Sequence, residues 1–186
     1  MFAGFPDRSI GVMVTISGEN LNNLIREMAT LSSKFVRNFE ESNGYEPGEN
    51  YVAAASPGES DALQKHPAVR DYGDLLAFYS HIEKVTLPDV GNGFFVDSVY
   101  DVAEGRGDWQ PAEIRGAVVD SVVAFGSDGG GGLFAFSLTS GKVYRLSGGS
   151  MVGTTYEIGE SGVDVIADDL WGFLQYLRGE LVRAVR

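Results

Sequence analysis

The sequence predicts an α+β fold: a central, mostly antiparallel sheet with helices packed on one side, preceded by a long N-terminal helix. Three observations carry this. Apolar residues recur at spacings of three and four near the start of the chain, again before Leu87, and again at its end. From Val85 onward the period falls to two and glycine punctuates the pattern. Short connections there join successive strands, which favours antiparallel hairpins. With 186 residues, 44% of them apolar and 22% charged, the chain can bury one real core. A single domain over 1–186 is expected, with 1–60 a helical N-terminal extension or arm.

Met1–Ser17 mixes Gly, Pro and a short apolar run, Val12–Ile16, suited to a strand or an arm. Ser17 offers an N-cap. Leu21, Leu24, Ile25, Met28, Leu31, Phe35 and Phe39 then place one stripe on a helix over Glu19–Ser42, with Gly44 as its stop. Asn43–Ser60 is rich in Gly, Pro, Glu, Asn and Ser and predicts a loop. Pro67 suits the start of a second helix whose face is Tyr72, Leu75, Leu76, Tyr79 and Ile82, ending before Leu87-Pro88. Strands are predicted at Phe94–Val96, Val118–Phe125, Leu133–Leu138, Val143–Leu146 and Thr154–Ile158. Phe134, Phe136 and Leu138 share one face, with Leu133, Ala135 and Ser137 on the other. A closing helix carries Ile166, Leu170, Phe173, Leu174, Leu177 and Leu181, with Asp168 as its cap and Arg183 and Arg186 in its last turn.

Composition removes several kinds of chemistry. Lys plus Arg is 14 and Asp plus Glu is 26, a net charge of −12. That balance disfavours nucleic acid and anionic lipid, both of which need a basic face. Cysteine is absent, so disulfides, Cys-ligated metals and thiol nucleophiles are excluded. Two histidines, His66 and His81, are too few for a multi-histidine site. No leader pattern opens the chain and no apolar run approaches a membrane span, so a cytoplasmic protein is expected.

Gly126-Ser127-Asp128-Gly129-Gly130-Gly131-Gly132 could form an anion nest from successive N–H groups. It lacks the Lys-Ser/Thr ending of a P-loop and leads into a strand, so a structural glycine loop is expected. Gly91-Asn92-Gly93 suits a turn. Asp97, Asp101, Glu104 and Asp108 could hold a carboxylate pair for hydrolysis, but a solvated acidic loop is the expected reading. Trp109 suits either a partner anchor or the core. His81 could be a general base or a cation at a helix end. No serine stands in a Gly-x-Ser-x-Gly elbow. Catalytic residues, metal and cofactor are therefore all expected to be none.

An ordered set of segments resembles a known family. Leu87-Pro88-Asp89 with Asn92-Gly93-Phe94-Phe95 follows a helix. Val122–Gly131 leads into Leu133-Phe134-Ala135-Phe136, then Gly141–Leu146, and Val165–Leu174 closes the set. In this order they resemble the SUKH superfamily, which includes the Smi/Knr regulators of fungal cell-wall synthesis and many bacterial relatives. The likeness spans Val69–Leu181 and does not account for the first helix. It implies an α+β fold without catalytic machinery. For bacterial members it implies an immunity role, binding and neutralising a toxin domain.

The expected function is thus a non-enzymatic protein-binding module against a basic partner, such as a nuclease toxin. The alternatives are a carboxylate hydrolase and an anion or small-ligand sensor built on 126–132. The expected partner surface is Asp97, Asp101, Glu104, Asp108 and Trp109 with Glu157 and Glu160. No residue pattern specifies an oligomeric state.

Overall fold

The computed structural model describes residues 18–56, 72–104 and 110–186. Val12–Ile16, Ser17, His66, Pro67, Asp108 and Trp109 lie outside the described residues. Helix α1 (Gly18–Asn43) buries Leu24, Ile25, Met28, Ser32, Phe35 and Phe39 along one stripe. Gly44, at φ +80°, ends it, and its N–H returns to the Glu40 carbonyl. The chain continues through β1 (Tyr51–Ala54), α2 (Gly73–Tyr79), β2 (Ile82–Leu87), β3 (Phe94–Val96) and α3 (Val99–Glu104). Then come β4 (Glu113–Gly116), β5 (Asp120–Asp128), β6 (Leu133–Ser137), β7 (Val143–Leu146), β8 (Ser150–Val152) and β9 (Thr155–Ile158). A 3₁₀ turn (Glu160–Gly162), β10 (Val163–Ala167) and α4 (Leu170–Ala184) finish it. This is α+β, as the pattern of periods predicts.

Strand β5 is the junction of the sheet. On one side runs β3-β2-β1, on the other β6-β7-β10, with every pairing antiparallel. At its start β5 also pairs antiparallel with β4, which pairs in parallel with β9, and β9 pairs antiparallel with β8. The two faces of the central strands bury different clusters. Val123, Phe125, Phe134, Phe136 and Val143 pack with residues from all four helices. Val122, Ala135, Tyr144 and Leu146 pack with Ile114, Tyr156 and Ile158 of the β4-β9 branch. Phe173 of α4 sits edge-on to both Phe125 and Phe134, with ring centroids 5.1 Å apart in each pair.

Several elements differ from the sequence reading. The second helix stops at Tyr79, and Ile82–Leu87 forms β2. Ile82, Val85 and Thr86 are β-branched and suit a strand, and Val85 and Leu87 bury with period two. Tyr51–Ala54, inside the predicted loop, forms β1 because Val52 packs in the helix-side core and pairs with Val85. Ile166 belongs to β10, so Asp169 caps α4, and Asp168 does not: the Asp169 Oδ1 accepts from the Gly172 N–H at 2.6 Å. Val99–Glu104, read as acidic loop, is α3. Strands β4 and β8 complete the branch and were not expected.

The closing helix α4 belongs to the helix-side core. Leu174 is fully buried in the helix-side cluster. Leu174→Ala should lower unfolding free energy by about 2–5 kcal/mol in denaturant titrations. An unchanged midpoint would mean that α4 does not cover the sheet.

Candidate functional site

The glycine segment closes the β5–β6 hairpin, and two of its N–H groups already have an anion, while Gly129 and Gly131 donate to backbone carbonyls. The Asp128 Oδ1 accepts from the Gly130 N–H at 2.9 Å and the Gly132 N–H at 2.7 Å. Its Oδ2 accepts from the Arg145 guanidinium at 2.6 Å, and the side chain is 4% exposed. Burial alone would raise this carboxyl, but the Gly132 and Gly130 N–H groups and Arg145 outweigh it and hold it below the usual range. The loop thus folds around its own carboxylate. It also touches the β2–β3 turn: the Gly129 N–H donates to the Gly93 carbonyl at 3.2 Å. A Cβ on Gly129 would stand 2.0 Å from the Asn92 carbonyl oxygen, so close backbone approach demands glycine there.

Asp97 and Asp101 come together on the loop after β3 and the first turn of α3. Ser98 and Asp101 cap each other: the Asp101 N–H donates to the Ser98 Oγ at 3.2 Å, and the Ser98 Oγ donates to the Asp101 carboxylate at 2.8 Å. Lys84 of β2 lies 3.5 Å from the same carboxylate. The Ser98 hydroxyl and N–H, with Lys84, hold Asp101 below the usual carboxylate range. Asp97 moves the other way, raised by burial and by Asp101 against Lys84. Opposite shifts in neighbouring carboxylates are what acid–base pairs need. Here, however, Asp101 is engaged as a helix cap. The adjoining cleft, lined by Ala55, Tyr79, Ile82, Glu83, Ser98, Val99 and Tyr100, holds about 20 Å³, room for one water.

Glu104 ends α3, and Asp108 and Trp109 lie outside the described residues. Glu157 on β9 and Glu160 in the 3₁₀ turn are exposed, and β9 stands three strand positions from β3. The expected surface is therefore spread over both branches of the sheet. His81 follows α2, but its ring faces the other helix: its Nδ1 is 2.9 Å from the Asn22 Oδ1 in the first turns of α1. Burial lowers its pKa, so it is neutral at pH 7 and is not a helix-end cation.

Sequence reasoning missed two polar clusters. The Asp120 carboxylate, at the start of β5, accepts from the hydroxyls of Ser137 at 2.6 Å, Tyr144 at 3.0 Å and Thr139. Ser137 in turn accepts from the Ser140 N–H at 2.9 Å, which pins the β6–β7 turn to β5. Asp89 accepts from the Gly48 N–H and the Asn50 amide, both at 2.7 Å, and ties the segment before β1 to the β2–β3 turn. Both are fastenings within the fold. Among the described residues no group of three or more His, Asp or Glu is placed to hold a metal ion, and no helix is long and apolar enough to cross a membrane.

Compared with protein-family models, with curated proteins and with solved structures, the chain has no match in any of the three.

Two outcomes check the glycine loop. Phosphate and nucleotides should give no binding heat, because Asp128 occupies the nest, and a micromolar Kd would overturn this. The lowered pKa of Asp128 also fixes a pH dependence. Its stabilisation is complete above the unfolded carboxyl value of about 4 and is lost as pH falls through the lower folded value. Asp128→Asn should therefore lose less stability than wild type between pH 5 and pH 2 in denaturant titrations.

Proposed function

We propose that this chain is a non-enzymatic protein-binding module of the immunity type, acting in the cytoplasm on a basic partner such as a nuclease toxin domain. One observation carries the reading. Between Leu146 and Leu177 stand Glu157, Glu160, Asp164, Asp168 and Asp169, with no Lys or Arg. All five are solvent-exposed, on β9, the 3₁₀ turn, β10 and the start of α4. Helix capping accounts for Asp169. The other four make no such contribution to the cap. Arg145 lies 3.8 Å from Asp164 and Arg115 is in register with Glu157, so the negative field is partly offset, but carboxylates remain in excess there, which speeds encounter with a basic surface and disfavours acidic ones. Nucleases are basic because they bind phosphate. The resemblance to SUKH proteins points the same way. Asp97 and Asp101 extend the negative field from the other branch, with Lys84 partly offsetting them.

Affinity capture from the native cell, followed by identification of the bound protein, tests the class. The surface is tested by combining Glu157→Gln, Glu160→Gln and Asp164→Asn, which spares the caps at Ser98 and Asp169. Association with the captured protein should slow by about tenfold at low salt, and its salt dependence should flatten. An unchanged rate and an unchanged salt slope would remove this surface from the interface.

A further inference from the structure

We propose that the open edge of β10 is the docking strand for that partner, which adds an extended segment with alternating basic and apolar residues. The inference rests on the binding reading above and names where and how the contact is made. The sheet has outer edges at β1, β8 and β10. Strand β8 has three residues and β1 four, Tyr-Val-Ala-Ala, with no charge. Strand β10 has five, and among the described residues it pairs with β7 alone. An unpaired edge carries free N–H and C=O groups, which is what an added strand uses for affinity.

The side chains of β10 set the pattern that such a strand must match. Asp164 pairs in register with Arg145, and Val165 with Tyr144, so the two project to opposite faces of the sheet. Arg145 is engaged by Asp128 at 2.6 Å and reaches Asp164 only at 3.8 Å. The Asp164 side chain is 62% exposed, and Val165 is 53% exposed beside the buried Tyr144. Glu160 precedes the strand and Asp168 follows it, both exposed. An arriving strand would therefore place a cation beside Asp164 and an apolar side chain beside Val165. Cross-strand neighbours of these kinds are stabilising, whereas like charges directly opposite are not. A second copy of β10 would bring carboxylates together, so the same residue that invites a basic strand rejects self-association. The irregularity between Val165 and Ala167 interrupts the ladder and restricts register to the first part of the strand.

The test uses the full chain, isotope-labelled, titrated with a short blocked peptide alternating lysine and valine. The control peptide has glutamate in place of lysine. Amide shifts should concentrate on Val163, Asp164 and Val165, with contacts between Val165 methyls and peptide valines, and the control should bind at least about tenfold more weakly. Asp164→Lys should reverse the preference, and Val165→Thr should weaken binding without altering it. Lysine-peptide shifts confined to β1, β8 or another surface would overturn the proposal, as would shifts without contact at Val165. With the captured partner, undiminished affinity for a folded Asp164→Lys variant would defeat the edge assignment while leaving the binding reading intact. If the peptide docks on β10 but capture yields only an acidic partner, the basic-partner reading fails and the edge assignment stands.

Discussion

Between Val122 and Phe125 every side chain of β5 is removed from water, so this strand requires an apolar cover on both faces. Strands buried on both sides show near-continuous apolar runs, and Val-Val-Ala-Phe is one. The helices supply one cover, through Phe173 and its neighbours on α4. The β4-β9 branch supplies the other, through Ile114, Tyr156 and Ile158. The branch at β5 serves this need, because β4 and β9 bring Ile114, Tyr156 and Ile158 into one cluster with Val122. Burying each of these large side chains contributes roughly 1.5–3 kcal/mol before entropy is charged against it.

Both ends of β5 carry a buried carboxylate with its own set of donors. At the start Asp120 gathers the hydroxyls of Ser137, Tyr144 and Thr139. At the end Asp128 gathers two glycine N–H groups and Arg145. Buried anions are tolerated only when such donors are complete, and here each set also fixes a turn. The two carboxylates thus fasten the β5–β6 and β6–β7 turns to β5. Of the exposed carboxylates on β9, β10 and the 3₁₀ turn, Asp164 approaches Arg145 at 3.8 Å but fixes no turn, and that contrast separates fold from proposed function.

The sequence disclosed α1, α4 and the central hairpins well. Each has a long or clean period, and Gly44 and Gly141 lie where the chain turns. It disclosed the short elements poorly. Tyr51–Ala54 is a strand only because β2 lies beside it, a contact no local pattern encodes. Ile166 fits a helical stripe by spacing, yet pairing with β7 takes its segment into the sheet. One missed signal was present: Ser98-Val99-Tyr100-Asp101 has the spacing of a reciprocal helix cap, and it would have placed α3. The same cap explains why Asp101, a natural choice for an acidic contact, is partly occupied within the fold. The role of Asp128 was open to chance, since only the tertiary approach of Arg145 makes the glycine turn a closed unit.

Native-state hydrogen exchange tests most directly whether β5 organises the molecule while β10 is an independent edge. Amides of Val122, Val123, Ala124 and Phe125 should exchange only through global unfolding, with the full unfolding free energy. Amides on the outer side of β10 should open at markedly lower free energy, as expected of a strand paired on one side only. If β5 opens below the global value, or if β10 is protected as strongly as β5, the account of a doubly covered central strand with a free acidic edge is contradicted.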